Sequence, residues 1–196
     1  RVLAYLVMVS IGIMTLGIAA GTQASIAGAA LYLMQTLIVT AALFMVVGCV
    51  CHLAKTEDLN QMGGLWRTHP IIGAMFVLIM LGVAGIPPTS GFWPKIVLIE
   101  ALADADRWGL LISVVIGSLG TLYAVMRLFS AAFWQDVDTQ DTPAVDIFRF
   151  TPIVVLTVLV VGFGLNAEGL VETAKASSVT LLDPSEYIQT VLGSQP

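Results

Sequence analysis

The sequence predicts an all-α integral membrane protein with five transmembrane helices, and three observations support this prediction. The 196 residues are 58% hydrophobic and only 11% charged, with a mean hydropathy of +0.94, whereas a soluble domain is about 25% charged. Long apolar runs recur at the length of about 20 residues that a helix needs to cross a bilayer. One run is interrupted by adjacent prolines. We expect a helical bundle over residues 1–165 and a separate tail over 166–196.

The first two predicted spans lie in a stretch without Asp, Glu, Lys or Arg, from Val2 to Ala54. Residues 2–21 form the first span, Thr22–Ser25 a tight turn, and residues 26–53 the second span. The second span carries Gln35, Thr36 and Thr40 near its middle. Polar groups at this depth either hydrogen-bond a neighbouring helix or line a water-mediated ion path, and both interpretations stay open here.

The third predicted span, residues 70–102, is discontinuous. Pro87, Pro88 and Gly91 belong to a PPTSG segment between two apolar runs. Adjacent prolines remove two backbone donors and do not fit inside a regular helix. In lipid, broken backbone is tolerated only where it is buried in protein or lines a wet cavity. The break at Pro87–Gly91 therefore predicts an ion site near the middle of the membrane.

Lys95 lies just after the break and is the predicted proton relay. Loss of hydration disfavours the charged form of an ammonium group, which suits a lysine to loading and releasing protons. The ends of the two half-helices expose backbone carbonyls and amides that can stabilise or repel that charge. The alternative is a lysine that extends to the interface. Glu100 lies on another face of the helix and is either an exit carboxylate or an interfacial side chain.

The fourth predicted span covers residues 108–134 and the fifth 148–165, with an acidic linker between them. Arg127, toward the end of the fourth span, either extends to the interface or joins a charged axis inside the bundle. The tail 166–196 contains a short amphipathic pattern that Pro184 interrupts. We expect it to support the bundle at the interface or to contact another subunit.

Charge sets the expected sidedness and excludes some partners. The net charge of −5 argues against a nucleic-acid partner. Two basic residues, Arg107 and Lys175, fall at one end of the bundle, and by the positive-inside rule this end is outside or periplasmic, together with the C-terminus. The cytoplasmic end has the remaining predicted anchors: Arg1, Lys55, Arg67, Arg127 and Arg149.

The chain begins without Met, so we expect a piece of a longer polypeptide. Cys49 and Cys51 point to different helix faces, and we expect no disulfide, metal site or cofactor.

The segment GIPPTSGFWPKIVLIEA, from Gly85 to Ala101, resembles the PPxSGF-x-x-K signature of the antiporter-like membrane subunits. Complex I and the Mrp-type cation/proton antiporters share these subunits. Two further segments, LYAVMRLFSAAFW and LLDPSEYIQTVLG, are most similar to the D-subunit family of the Mrp-type multisubunit Na+/H+ antiporters. The resemblance extends over essentially the whole chain.

The resemblance implies a fourteen-helix fold with two inverted repeats, of which this chain matches the end of the second repeat and the last helix. Lys95 stands where the family has the lysine of its distal broken helix. Gln35, Thr36 and Thr40 stand where many relatives carry histidine and lysine, so a titratable relay to Lys95 is not visible. Either waters held by these three side chains replace it, or the path is weaker or differently used.

The expected function is cation/proton antiport, with Na+ as the cation, by a subunit of a multisubunit complex in the bacterial inner membrane. The expected partners are other membrane subunits, the lipid bilayer, protons and a monovalent cation. One alternative is a proton-pumping subunit of a complex I-like oxidoreductase, and only then would the chain be part of an enzyme. Another is a scaffold subunit that conducts no ions.

Overall fold

The computed structural model describes residues 1–135, 147–166, 169 and 171–174. Its regular structure in those residues is helical and contains no β-strand. The predicted 135–147 linker and 166–196 tail lie mostly outside the described residues. The elements in chain order are α1 Val2–Ala19, α2 Gln23–Ala54, α3 Leu65–Thr68, α4 Pro70–Ala84, α5 Phe92–Asp104, α6 Trp108–Phe129, which continues as a π-helical turn Ser130–Trp134, and α7 Ile147–Leu165.

Helix α2 begins three residues earlier than its pattern predicts, because its first turn has a capping box. The Thr22 side chain accepts a hydrogen bond from the Ser25 backbone amide, and the Ser25 hydroxyl accepts one from the Thr22 amide, both at 3.1 Å. These two bonds satisfy amides that a helix start leaves unpaired. The prediction of a turn over Thr22–Ser25 is therefore wrong beyond Thr22. Gly21, with a φ of +70°, makes the reversal.

Helix α2 is the central element of the bundle and packs against α1, α4, α5 and α7. One apolar core lies where α2, α4, α6 and α7 meet, and includes Val46, Ile79, Val125 and Val160. A second, smaller core joins α1, α2, α5 and α6. A polar side chain on the inner face of α2 therefore meets other helices.

Three helical segments of the described residues are long and apolar enough to cross a membrane: Val2–Ala19, Gln23–Ala54 and Trp108–Trp134. Two further apolar helical segments, Pro70–Ala84 and Phe150–Leu165, are shorter. The ends of α1 and α6 with its π-helical turn lie within two residues of the predicted first and fourth spans.

Residues 85–91, which contain the predicted helix break, connect α4 to α5 without helical structure. Gly85 ends α4 with a φ of +80°, a conformation that favours glycine at a helix C-terminus. Its amide and that of Ile86 both donate to the Leu81 carbonyl, at 2.8 and 3.0 Å. Thr89 is fully buried, and its hydroxyl donates to the Ile86 carbonyl at 2.7 Å. The connection is thus an ordered turn with its own hydrogen bonds.

Candidate functional site

The Lys95 side chain is buried between the two short helices, with 6% of its surface exposed. It extends from the first turn of α5 back to the end of α4. Its Nζ atom donates to the Val83 carbonyl at 3.2 Å and to the Ala84 carbonyl at 2.6 Å. We call these two oxygens the α4 carbonyl site. The ammonium group thus lies at the negative end of the α4 dipole, where a cation is stabilised.

The last four carbonyls of a helix lack partners within that helix, and at the end of α4 each has a donor. The Leu81 carbonyl accepts from the two backbone amides described above. The Gly82 carbonyl accepts from the Gln35 side-chain amide Nε2 at 3.2 Å. Lys95 is the donor to the remaining two, those of the α4 carbonyl site. Two side chains from other helices therefore complete the C-terminus of α4.

Two glycines leave room for the Lys95 side chain and for the close approach of the backbone at the end of α4. A Cβ atom at Gly85 would lie 2.6 Å from Cδ of Lys95, so the lysine stem passes directly over the bare glycine. A Cβ atom at Gly91 would overlap the Gly82 carbonyl oxygen. Gly91 is buried, whereas Pro87 and Pro88 are exposed on the outer side of the connection.

Helix α7 packs against the connection and the start of α5, and forms one hydrogen bond with each. The Ser90 backbone amide donates to the Val160 carbonyl, and the Trp93 indole Nε1 donates to the Gly164 carbonyl, both at 2.9 Å. A Cβ atom at Gly164 would overlap the Pro88 carbonyl oxygen. The non-helical backbone is therefore buried against protein on this side.

A small polar group lies on the α1 side of α2. Gln35 is buried and Thr36 and Thr40 are half-buried, and Ser10 and Tyr32 lie beside them. All of these residues line a cavity of about 10 Å³, at the lower limit for a single water molecule. Val83, whose carbonyl binds Lys95, lines the same cavity.

A second cavity, of about 40 Å³, lies on the α7 side, and Gln35, Ser90, Trp93 and Phe163 are among its lining residues. The Ser90 hydroxyl oxygen is buried and has no hydrogen-bond partner among the residues that the structure describes. The volume suffices for a water molecule, and a buried hydroxyl favours one as its partner. Gln35 therefore contacts both cavities as well as α4.

The structure brings Gln35 and Lys95 to the same helix end, and Thr36 and Thr40 to a cavity beside it. Glu100 lies on the exposed surface of α5. Arg127 is also exposed, in the last turn of α6, where it lines an open cleft with Arg1 and Lys55. Within the described ranges, no three His, Cys, Asp or Glu side chains come together as a metal site.

Several residues of the site were not singled out from the sequence. Gly85 had a usable signal, because a glycine directly before Ile-Pro-Pro is typical of a helix C-terminus. Ser90, Trp93 and Gly164 had none, because their partners are distant in sequence. The Trp93–Gly164 hydrogen bond joins residues 71 positions apart.

Comparison with known proteins identifies the family. Residues 1–133 match the family described as NADH:quinone oxidoreductase/Mrp antiporter, transmembrane. The chain belongs to this family. It is therefore a multi-pass membrane protein, in agreement with the three helical segments that are long and apolar enough to cross a membrane.

Among curated relatives, the chain is 35% identical to a protein from Alkalihalophilus pseudofirmus that is named as the D subunit of a Na+/H+ antiporter. It is 32% identical to the protein of the same name from Bacillus subtilis. Each match covers 98% of this chain but 39% of the relative. The chain thus spans about two fifths of the length of these relatives.

Among solved structures, the chain is similar to one from the Mrp complex of Dietzia sp. DQ12-45-1b, with a TM-score of 0.88 and 25% identity. This match covers 97% of the chain and 44% of the other. A chain of respiratory complex I from Thermus thermophilus matches with a TM-score of 0.79 and 21% identity, over 91% of this chain and 39% of that one. The second similarity establishes a shared fold only.

Proposed function

We propose that the chain is part of a membrane subunit of a multisubunit Na+/H+ antiporter, and that Lys95 carries protons in it. The observation that supports this role is the pair of hydrogen bonds from the buried Lys95 ammonium to the α4 carbonyl site. These oxygens are neutral, so they bind both the ammonium and the uncharged amine. A proton can therefore leave Lys95 without leaving an unpaired charge behind. If the partner of Lys95 were a carboxylate, it would become a buried, unpaired anion.

The proposed path reaches Lys95 through the polar side of α2. Water held by Thr36, Thr40 and Gln35 would carry protons to the α4 end, since these side chains line the cavity that also contacts Val83. Glu100, an exposed carboxylate on the same helix as Lys95, is the candidate exit group. Arg127 would contribute interfacial charge, because it is exposed at the end of α6.

The proposed membrane topology has five spans within residues 1–165, with α4, residues 85–91 and α5 as the third. Helices α4 and α5 have 15 and 13 residues, each shorter than the length of about 20 that a span needs. Joined across the break they are long enough, and the break then falls inside the membrane. We further propose that the tail 166–196 lies at the periplasmic face of a bacterial inner membrane.

The names of the relatives support antiport over the alternatives. The curated matches at 35% and 32% identity are both named as Na+/H+ antiporter subunits, and the Mrp complex structure matches more closely than the complex I structure does. Other membrane subunits are the expected partners. Copurification of the full-length protein distinguishes the proposals, because quinone-binding or iron–sulfur subunits would indicate the complex I-like alternative.

The test of Lys95 is its replacement by alanine in the full-length protein within its complex, assayed as Na+-driven proton movement in membrane vesicles. We expect Lys95→Ala to abolish exchange, because the side chain that binds and releases the proton is gone. The matched control is Lys55→Ala, which removes an exposed lysine at the end of α2 and should leave exchange unchanged. Wild-type exchange in an assembled Lys95→Ala complex would support a scaffold instead.

A further inference from the structure

We infer that Gln35 is a positioning residue for Lys95 that acts through the last turn of α4. The inference rests on the proposed role of Lys95 and adds a distinct role for Gln35. In this role, the Gln35 amide holds the Gly82 carbonyl so that the carbonyls of Val83 and Ala84 face Lys95. Gln35 itself need not touch the proton or the cation.

The geometry places the two donors on consecutive carbonyls. Gln35 Nε2 donates to the Gly82 carbonyl, and Lys95 Nζ donates to those of Val83 and Ala84. Successive peptide groups of a helix are covalently linked, so a rotation of the Gly82 carbonyl also turns the Val83 carbonyl. The Gln35 hydrogen bond therefore fixes the acceptors of Lys95.

The Gly82 carbonyl is buried and confined on its other side. The Gly91 backbone lies directly against this oxygen, since a Cβ at Gly91 would overlap it. A Cβ at Gly82 would lie 2.9 Å from Val160 and 3.4 Å from Val39, so α7 and α2 enclose this turn. Without Gln35 the carbonyl would have to remain unpaired, which is costly in an apolar interior, or take a donor from elsewhere.

The donor closest to hand is Lys95, which binds the next carbonyl along the turn. An ammonium group has three N–H donors, so the loss of Gln35 would draw Lys95 toward Gly82. The lysine would then have three acceptors at the negative end of a helix and would hold its proton in a displaced position. Proton transfer should slow, while the dependence of the rate on Na+ concentration should stay the same.

The experiment compares three substitutions at position 35 in the full-length protein within its complex, with exchange rates measured in vesicles over a range of Na+ concentrations. Gln35→Met keeps the length of the side chain and removes the donor. Gln35→Asn keeps an amide but is one methylene too short to reach Gly82. Gln35→His offers a ring N–H at a reach similar to that of the native amide.

We expect Gln35→Met and Gln35→Asn to lower the maximal rate about tenfold, as the loss of a buried hydrogen bond would, with the Na+ concentration for half-maximal rate unchanged. Gln35→His should restore most of the rate. The control is Leu37→Met, an exposed position two residues along α2, which should match the wild type. Assembly is followed by copurification of the partner subunits.

The outcomes separate this inference from the proposed function. If Lys95→Ala abolishes exchange while Gln35→Met exchanges like the wild type, the inference on Gln35 is overturned and the role of Lys95 stands. If Lys95→Ala exchanges normally, the proposed function fails first. Should Gln35→Met not assemble, the pair Gln35→His and Gln35→Asn decides. Equal rates in these two overturn the inference, and a faster rate with histidine supports it.

Discussion

Lys95 is held by backbone groups, and its binding site therefore depends on local chain geometry more than on neighbouring side chains. The stem of the lysine passes over Gly85, where even a Cβ atom would lie 2.6 Å away. Its head meets two carbonyls at the end of α4. The site fits an unbranched side chain with a compact ammonium group. Lysine meets this requirement, whereas arginine does not.

We expect Lys95→Arg to lose exchange although it keeps the positive charge. Arginine stays protonated in proteins and carries a broad planar guanidinium, so it can neither release a proton nor fit the space above Gly85. The measurement is the collapse of a proton gradient on Na+ addition to vesicles, with Lys55→Arg as the exposed control. Wild-type exchange in the arginine variant would contradict proton loading at Lys95.

The sequence alone singles out Lys95 as a candidate, because a lysine directly after a proline-containing break in an apolar run is unusual. It did not reveal the partner of Gln35. That hydrogen bond joins residues 47 positions apart, and no local pattern specifies which helix end an amide on α2 will meet. The sequence alone therefore leaves both interpretations of Gln35 open.

Among the elements, α7 makes the long-range contacts with the break. Its backbone carbonyls accept from Ser90 and Trp93, and its Gly164 lets the two chain segments approach. The sequence predicts the ends of helices where an apolar run stops at a charged residue. The start of α2 differs from the predicted start, because the Thr22–Ser25 capping box begins the helix earlier. The contact of α7 with the break was not predictable, since apolar periodicity gives a helix's buried face but not its neighbour.

We expect Gly164→Ala to destabilise the protein by about 1–3 kcal/mol, the usual cost of overpacking. The added methyl would overlap the Pro88 carbonyl oxygen and lie 2.5 Å from the Thr89 carbonyl carbon. The matched control is Gly162→Ala on the same helix, where a Cβ meets no atom of the described residues within 4 Å. Thermal unfolding of the purified complexes gives the comparison. Equal midpoints for the two variants would mean that α7 does not pack tightly on the break.

At the scale of the whole molecule, the charged side chains of the described residues lie toward the two ends of the bundle, with Lys95 as the exception. Arg1, Lys55 and Arg127 line one open cleft, which the helix directions place at the end where α1 begins and α2 and α6 finish. Asp104 lies at the opposite end, in the last turn of α5. By the positive-inside rule we expect the cleft to face the cytoplasm.

This sidedness predicts opposite labelling of two exposed acidic positions, Glu57 in the loop after α2 and Asp104 at the end of α5. In a background with Cys49→Ala and Cys51→Ala, we expect Glu57→Cys to react with an impermeant maleimide only in inside-out vesicles. Asp104→Cys should react only in right-side-out vesicles. Glu57 follows the end of α2 and Asp104 is the last residue of α5, so a chain that crosses the membrane through its break must place them on different sides. Labelling of both from one side would exclude α4 and α5 as one discontinuous span, and reversed labelling would keep the span but invert its orientation.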